Sequence, residues 1–239
     1  ALNRPTLKDL QNFFIYCNED DNVRVAAISG RGRAFCSGQD LAAAFADRDE
    51  KNDISIVKKL VTDFYNPLVL EITRCRKPVI SLVNGPAVGA GAMLSLICYF
   101  ALASEKAYFS QAFSGIGLIP DTAGTYFLPK LLGRQMANYL TFTGKKLYAE
   151  EAKNLGLIAE VFSEEEFMTK SMEILEKLSE MPTSAFKFTK QAFAESYDNT
   201  LKQQLRLEAE LQQRAANTED FSEGVAAFLE KRKPVYKGK

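Results

Sequence analysis

The 239-residue sequence contains no histidine and no tryptophan. Without histidine, a serine–histidine–aspartate triad is excluded, and so is any metal site that needs an imidazole ligand. Cysteine is scarce as well, and the four residues lack the CxxC spacing of zinc sites: Cys17, Cys36, Cys75 and Cys98. This usage argues against zinc and favours a reducing compartment, so we expect a cytoplasmic protein.

Neither sign of charge predominates, because 30 Lys and Arg residues balance 30 Asp and Glu residues. No long block of one sign occurs, and the pattern therefore does not predict binding to nucleic acid. Hydrophobic residues make up 46% and charged residues 25%, which is the mixture of an ordinary soluble globular protein. The chain is long enough to bury a sizeable core.

Long apolar runs are rare, and the one exception, residues 86–103, approaches the length of a membrane span. It contains Gly89 and Gly91 and follows a strand-like segment, so we predict a helix buried in a protein core. No secretory pattern opens the chain, and we expect no membrane partner. Because Ala1 lies at what reads as a helix entry, we expect an initial segment with a further strand to precede it.

Apolar segments alternate with helix-like segments through the first two thirds of the chain. Strands are predicted at residues 23–29, 79–83, 107–110 and 158–161. Helices are predicted after Asn3 and through Ile56, Leu60 and Phe64, with a surface loop at residues 47–53 between them. Continuous apolar strands joined by helices favour a parallel sheet, so the predicted fold class is α/β.

Beyond residue 162 the strand pattern stops. The remaining segments, residues 164–180, 183–195, 199–216 and 220–232, are all helix-like, with Pro182 as a break. We therefore predict a core domain over residues 1–181 and a C-terminal helical region over residues 182–239. Apolar stripes on the later helices must be buried against the core or another subunit.

Two glycine-rich segments follow predicted strands, at the sheet edge where open α/β folds bind ligands. In AFCSGQDL (34–41), Gly38 permits unusual backbone angles and leaves the amide of Gln39 free to face a ligand. In NGPAVGAGAM (84–93), Gly89 and Gly91 would let a carbonyl oxygen approach first-turn helix amides. A simple corner and close helix packing explain the two segments equally well.

A third segment, GIGLIPDTAGT (115–125), places one carboxylate, Asp121, before a predicted helix. Asp121 can cap that helix by accepting a hydrogen bond from the amide of Gly124. If burial raises its pKa, it can instead act as a general base. The residues alone leave both interpretations open.

In this order and spacing, the three segments resemble the enoyl-CoA hydratase/isomerase (crotonase) family over residues 24–162. GLIPD especially resembles the ring epoxide isomerases of phenylacetate degradation, and Δ3,Δ2-enoyl-CoA isomerases place a carboxylate similarly. The resemblance implies a spiral of ββα units with a C-terminal helical trimerisation region. It also implies an acyl-CoA thioester substrate, no further cofactor, and a homotrimer or a dimer of trimers.

Carried over residue by residue, the resemblance makes the backbone amides of Gln39 and Ala90 an oxyanion hole and Asp121 the acid/base group. It assigns substrate contacts to Ser37, Gly38, Leu41, Gly89, Gly91, Met93, Phe113, Phe228 and Lys231. The last two would contact the nucleotide of substrate in a neighbouring subunit. A solvated helix face accounts for Lys231 equally well.

The sequence departs from the family's hydratases, which carry glutamates where this chain has Met93 and Phe113. Since each acid/base group contributes roughly 10²- to 10⁴-fold, we expect hydration to be weak or absent. The resemblance favours an isomerase that shifts a Δ3 double bond to Δ2 or opens a ring epoxide of an aromatic acyl-CoA. The alternatives are a dehalogenase-like enzyme with Asp121 as nucleophile, which the lack of Trp and His disfavours, and a non-catalytic acyl-CoA-binding protein.

Overall fold

The computed structural model describes residues 1–46 and 55–239. The predicted loop at residues 47–53 lies outside the described residues. The strands are β1 (Ala26–Ser29), β2 (Val79–Val83), β3 (Ala87–Val88), β4 (Phe100–Ser104), β5 (Tyr108–Ser110), β6 (Leu147–Tyr148) and β7 (Glu160–Phe162). The prediction for residues 79–83 is confirmed, and the other three predicted strands are shorter than expected.

Helices precede, separate and follow these strands. They are α1 (Arg4–Glu19), α2 (Leu41–Phe45), α3 (Ser55–Leu60), α4 (Asn66–Arg74), α5 (Ala90–Leu96), α6 (Gly124–Thr143), α7 (Ala149–Asn154), α8 (Glu164–Ser179), α9 (Thr183–Glu195), α10 (Leu201–Ala216) and α11 (Glu219–Glu230). A π-helical turn, Val61–Tyr65, joins α3 to α4, and a 3₁₀ turn, Ser114–Ile116, precedes α6. The helices predicted after residue 162 are confirmed within a few residues.

The strands form two sheets, with the orders β1-β2-β4-β7 and β3-β5-β6. Strand β4 pairs in parallel with both β2 and β7, and β3 pairs in parallel with β5. All five residues of β2 are buried, as expected for a parallel strand that is covered on both faces. The predicted α/β fold is confirmed.

The prediction of a single buried helix over residues 86–103 is wrong. This run contains β3, α5 and β4 in succession. Helix α5 ends near Ile97, and Tyr99 then donates its amide to the carbonyl oxygen of Val79 (2.8 Å), which starts the pairing with β2. A short apolar run is compatible with either a buried helix or a buried strand, so the partner strand decides its structure.

The chain divides into two compact units. The first consists of Ala1–Tyr16, Ala27–Arg74 and Val79–Ser171, and the second of Cys17–Ala26, Cys75–Pro78 and Met172–Lys239. The predicted core domain includes residues 172–181 and the segments Cys17–Ala26 and Cys75–Pro78. In the structure these residues belong to the second unit. A trimerisation role for the C-terminal helices stays a prediction. Across the described ranges, the structure contains no helix with the length and apolarity needed to cross a membrane.

Candidate active site

A cavity of about 190 Å³ opens within the first unit. Its walls come from α2, α3 and the π-helical turn, and from the segments around residues 37–39, 88–90 and 112–121. Most of the lining is apolar. Four of the described lining residues carry polar side chains, namely Ser37, Gln39, Tyr65 and Asp121.

Eight of the residues assigned from the sequence meet at this cavity: Ser37, Gly38, Gln39, Leu41, Gly89, Ala90, Phe113 and Asp121. The three motifs, which span more than eighty positions along the chain, therefore converge on one place. Their convergence is what a ligand site at the edge of an α/β sheet requires.

The two glycine corners are in direct contact. The amide of Val88 donates to the carbonyl oxygen of Cys36 at 2.9 Å. Gly38 has φ +90°, and a Cβ atom added there would lie 2.9 Å from the carbonyl oxygen of Val88 and 3.9 Å from the nitrogen of Ala90. Only glycine allows both the backbone angle and this approach.

The amide of Gln39 faces away from Leu2, with which Gln39 forms an isolated parallel bridge. Leu2 donates its amide to the carbonyl oxygen of Gly38 (2.7 Å), and its own carbonyl oxygen accepts from Asp40 (2.8 Å). In such a parallel bridge, the residue between the two bonds directs its own amide to the opposite edge. The amide of Gln39 therefore points away from Leu2.

The second corner brings Ala90 to the start of α5. Gly89, with φ +55° and ψ −126°, donates its amide to Ser110 (2.8 Å) and ends the preceding strand. Ala90 is the first helical residue, and the first amides of an α-helix lack acceptors within the helix. The amide of Ala90 therefore has no acceptor within α5.

Two of the residues assigned within the three motifs do not line the cavity formed by the described residues. Gly91 is a packing glycine, because an added Cβ would lie 2.6 Å from both Cβ and the carbonyl oxygen of Cys36. Met93 is fully buried and packs against Gly124 at the start of α6. For these two positions, the close-packing interpretation of the second motif fits the structure.

Asp121 is half-buried at the cavity wall. Burial raises the pKa of its carboxyl group, and a 2.9 Å hydrogen bond from the hydroxyl of Thr122 to Oδ1 lowers it in part. The amide of Gly124 donates to the main-chain oxygen of Asp121 (2.7 Å), and no side chain caps α6, which begins after Ala123. The carboxylate is thus not used as the helix cap considered from the sequence.

The backbone beside Asp121 is strained. Thr122 and Ala123 have φ values of 51° and 60°, in the left-handed region that residues other than glycine seldom adopt. Such conformations persist where the surrounding structure imposes them, and they concentrate at functional sites. Both residues lie between Asp121, which lines the cavity, and Gly124, where α6 begins.

Tyr65 is the polar residue among the described lining residues that the sequence analysis did not assign to the site. Its side chain is 2% exposed, and its hydroxyl donates to Oε1 of Gln39 at 2.6 Å. Burial, and secondarily the charge of Asp121, raise its pKa, so the phenol stays neutral. The predicted α-helical stripe ran through Phe64, but the wider π-helical turn brings the next residue, Tyr65, to the inner face.

Phe228 and Lys231 belong to the second unit. Phe228 is 83% exposed near the end of α11, and Lys231 ends that helix with φ 57°. Their contact with a nucleotide in a neighbouring subunit stays a prediction. Among residues 1–46 and 55–239, no three His, Cys, Asp or Glu side chains cluster as metal ligands do.

An α/β scaffold that presents two glycine corners and a half-buried carboxylate to one apolar cavity has the architecture of the crotonase superfamily of enzymes. The chain belongs to the enoyl-CoA hydratase/isomerase family, whose model matches residues 1–239. The family predicted from the three motifs is confirmed.

Individual relatives carry different activities in their names. A 1,2-epoxyphenylacetyl-CoA isomerase of Escherichia coli (strain K12) is 41% identical over 222 residues, covering 92% of this chain and 83% of that protein. A probable enoyl-CoA hydratase of Rhodobacter capsulatus is 40% identical, covering 91% and 82%. The crystal structure of an enoyl-CoA hydratase from Bacillus anthracis matches with a TM-score of 0.89 at 34% identity, covering 100% of this chain and 90% of that one. Family membership thus does not choose between isomerisation and hydration.

Proposed function

We propose that this enzyme isomerises acyl-CoA thioesters, with Asp121 as its acid/base group and no metal or redox cofactor. One observation carries the proposal: a half-buried carboxylate with a raised pKa lines the same cavity as Gln39 and Ala90, the residues of the two glycine corners. A carboxylate with a raised pKa is a stronger base than a solvated one and can return the proton that it takes.

For a linear 3-enoyl substrate, the thioester oxygen accepts hydrogen bonds from the amides of Gln39 and Ala90. The carboxylate of Asp121 removes a proton from the carbon next to the thioester carbonyl, and the electron pair moves onto the held oxygen as a dienolate. Protonated Asp121 then delivers the proton two carbons further along the chain. The double bond now lies between the second and third carbons, and Asp121 is ionised again.

The cavity favours this reaction over hydration. Phe113 presents an apolar wall where the family's hydratases carry a glutamate, and Met93, within α5, is buried and does not line the cavity of the described residues. Among the described lining residues, Asp121 is the one carboxylate. A single carboxylate suffices for proton shuttling, whereas hydration requires a second group that orients and activates water.

The 41% identity to a relative named as an epoxyphenylacetyl-CoA isomerase supports an aromatic substrate as a second candidate within the same class. The apolar walls suit either a linear chain or a ring. A substrate panel separates them: a linear 3-enoyl-CoA, a ring epoxide of an aromatic acetyl-CoA, and a 2-enoyl-CoA with water as the hydratase test. We expect turnover of one of the first two and little or none of the third.

Asp121→Asn tests the acid/base role. We expect kcat to fall by roughly 10²- to 10⁴-fold, since the amide cannot take up a proton, while the affinity for a saturated acyl-CoA is retained. Asp63→Asn, on the exposed side of the π-helical turn, is the matched control and should retain wild-type turnover.

Three other outcomes would contradict the proposal. Unchanged turnover in Asp121→Asn would remove Asp121 from the mechanism. A covalent adduct on Asp121, detected by mass spectrometry of the intact protein, would instead favour a nucleophilic role. Binding of 3-enoyl-CoA and saturated acyl-CoA without conversion of any panel member would favour a non-catalytic acyl-CoA-binding protein.

We also propose a homotrimer or a dimer of trimers in the cytoplasm. Family membership supports this assembly, as do the exposed apolar side chains of Phe221, Phe228 and Leu229 on α11. Light scattering during size-exclusion chromatography should give three or six times the mass of the chain, and a monomer would contradict the proposal.

A further inference from the structure

The side chain of Gln39 is held at both ends. Its Oε1 accepts the hydroxyl hydrogen of Tyr65 at 2.6 Å, and its Nε2 donates to the carbonyl oxygen of Asp40 at 2.9 Å. Its main chain is bracketed by the two hydrogen bonds to Leu2. Gln39 is therefore restrained through both its backbone and its side chain. Its neighbour Gly38 has no side chain that could restrain this segment.

The bond from Tyr65 depends on an unusual piece of backbone. The π-helical turn Val61–Tyr65 interrupts a continuous helix, and Asn66 donates its amide to the carbonyl oxygen of Val61, five residues earlier. Such turns are rare and occur frequently at functional sites. Regular α-helical periodicity would favour Phe64, which has no hydroxyl, at the inner face. Because of the π-helical turn, the hydroxyl of Tyr65 lies within hydrogen-bond distance of Gln39.

The surroundings of Tyr65 keep its hydroxyl group neutral. Burial and the nearby Asp121 carboxylate raise the pKa of the phenol, so that it remains a neutral donor. An ionised group at this position would repel the negative charge that develops on a thioester oxygen. A neutral hydroxyl fixes Gln39 without adding such a charge.

We propose that Tyr65 is a positioning residue of the active site, which holds Gln39 through its side chain so that the amide of Gln39 stays directed at the thioester oxygen. This inference rests on the oxyanion role proposed for Gln39. The competing explanation is that the two side chains satisfy each other as an ordinary buried pair. The two explanations differ in their effect on a bound carbonyl group.

Tyr65→Phe removes the hydroxyl and retains the ring. We expect kcat to fall about tenfold, less than the 10² to 10³ lost when an oxyanion donor is deleted, with KM changed less than about twofold. Tyr139→Phe, on the exposed face of α6 and outside the described cavity lining, is the matched control and should have no effect.

The decisive readout is the carbonyl stretching frequency of bound hexanoyl-CoA labelled with ¹³C at the thioester carbon, measured by isotope-edited infrared spectroscopy. Hexanoyl-CoA has no double bond to move, so it reports polarisation of the carbonyl without turnover. We expect a downshift in wild-type protein relative to water, and a smaller downshift in Tyr65→Phe. An equal downshift in both proteins would overturn the positioning role and leave the proposed function intact.

Gln39→Met removes the acceptor Oε1 of the hydrogen bond from Tyr65 and keeps the main-chain amide of residue 39. The test therefore does not depend on one variant. We expect its infrared shift to match that of Tyr65→Phe and the double variant to be no worse than either. Additive losses would overturn the coupling. Absence of any downshift in the wild-type protein would instead overturn the oxyanion hole itself, and the positioning role with it.

Discussion

The hydroxyl of Thr122 donates a 2.9 Å hydrogen bond to Oδ1 of Asp121. Thr122 is almost completely buried and has a left-handed backbone, so its hydroxyl cannot turn elsewhere at low cost. The bond stabilises the ionised carboxylate and opposes the effect of burial on its pKa. The strength of Asp121 as a base therefore depends on its neighbour in the chain.

Thr122→Val should move the acid limb of the pH profile of kcat/KM to higher pH. Removing the hydroxyl removes the influence that lowers the pKa of Asp121, while burial continues to raise it. Since the ionised form is the base, activity is then lost at a higher pH on acidification. Thr122→Ser retains a hydroxyl and should keep the wild-type profile; a valine profile that overlays it would refute the link.

Gly38→Ala should lower kcat/KM by about 10²-fold, because the new methyl group would displace the Val88 carbonyl next to the second corner. Gly32 provides a matched control, since it has φ +83° but nothing within 4 Å of an added Cβ. Both substitutions should cost about 1–2 kcal/mol of stability from backbone strain. Only Gly38→Ala should impair turnover, and equal kinetics for the two variants would show that the contact with Val88 is unimportant.

The fold was predictable where local pattern and tertiary context agree. Strand β2 has four apolar residues around Ser81 between polar turns, and α9 begins directly after Pro182, so their bounds follow from the residues. Strand β4 was not predictable, because its apolar residues continue the run that begins before α5. Its pairing with β2, from Ile80 to Phe100 onward, determines its structure.

The candidate site was partly predictable for a related reason. The two glycine corners follow predicted strands, which indicates loops at the sheet edge, whereas the role of Asp121 was predicted from the family resemblance; the cavity brings all three together. Tyr65 carries no such signal, because its inward direction depends on a π-helical turn that periodicity does not reveal. The packing roles of Gly91 and Met93 likewise depend on contacts with distant residues.

Asp220→Asn should destabilise the C-terminal unit by about 1–3 kcal/mol. The buried carboxylate accepts from the amides of Lys237 (2.7 Å) and Gly238 (2.9 Å to Oδ2), which fastens the end of the chain to α11. An asparagine amide would turn a donor toward one of these donors. Urea denaturation of the full chain measures the effect against the exposed control Asp198→Asn, and equal midpoints for the two variants would contradict it.

Asp121→Asn should make the protein more stable near neutral pH while it lowers kcat by roughly 10²- to 10⁴-fold. Burial raises the folded-state pKa of Asp121 above its unfolded value, so between these two values the folded protein binds more protons than the unfolded chain. Its contribution is therefore fully present below the unfolded pKa and is lost as the pH rises through the folded pKa. Asparagine does not ionise, and the gain in Tm over wild type should be larger at pH 7 than at pH 4. A gain in Tm that does not change with pH would indicate that the carboxylate of Asp121 is not desolvated. The idea that burial of Asp121 lowers stability in exchange for a stronger base would then lack support.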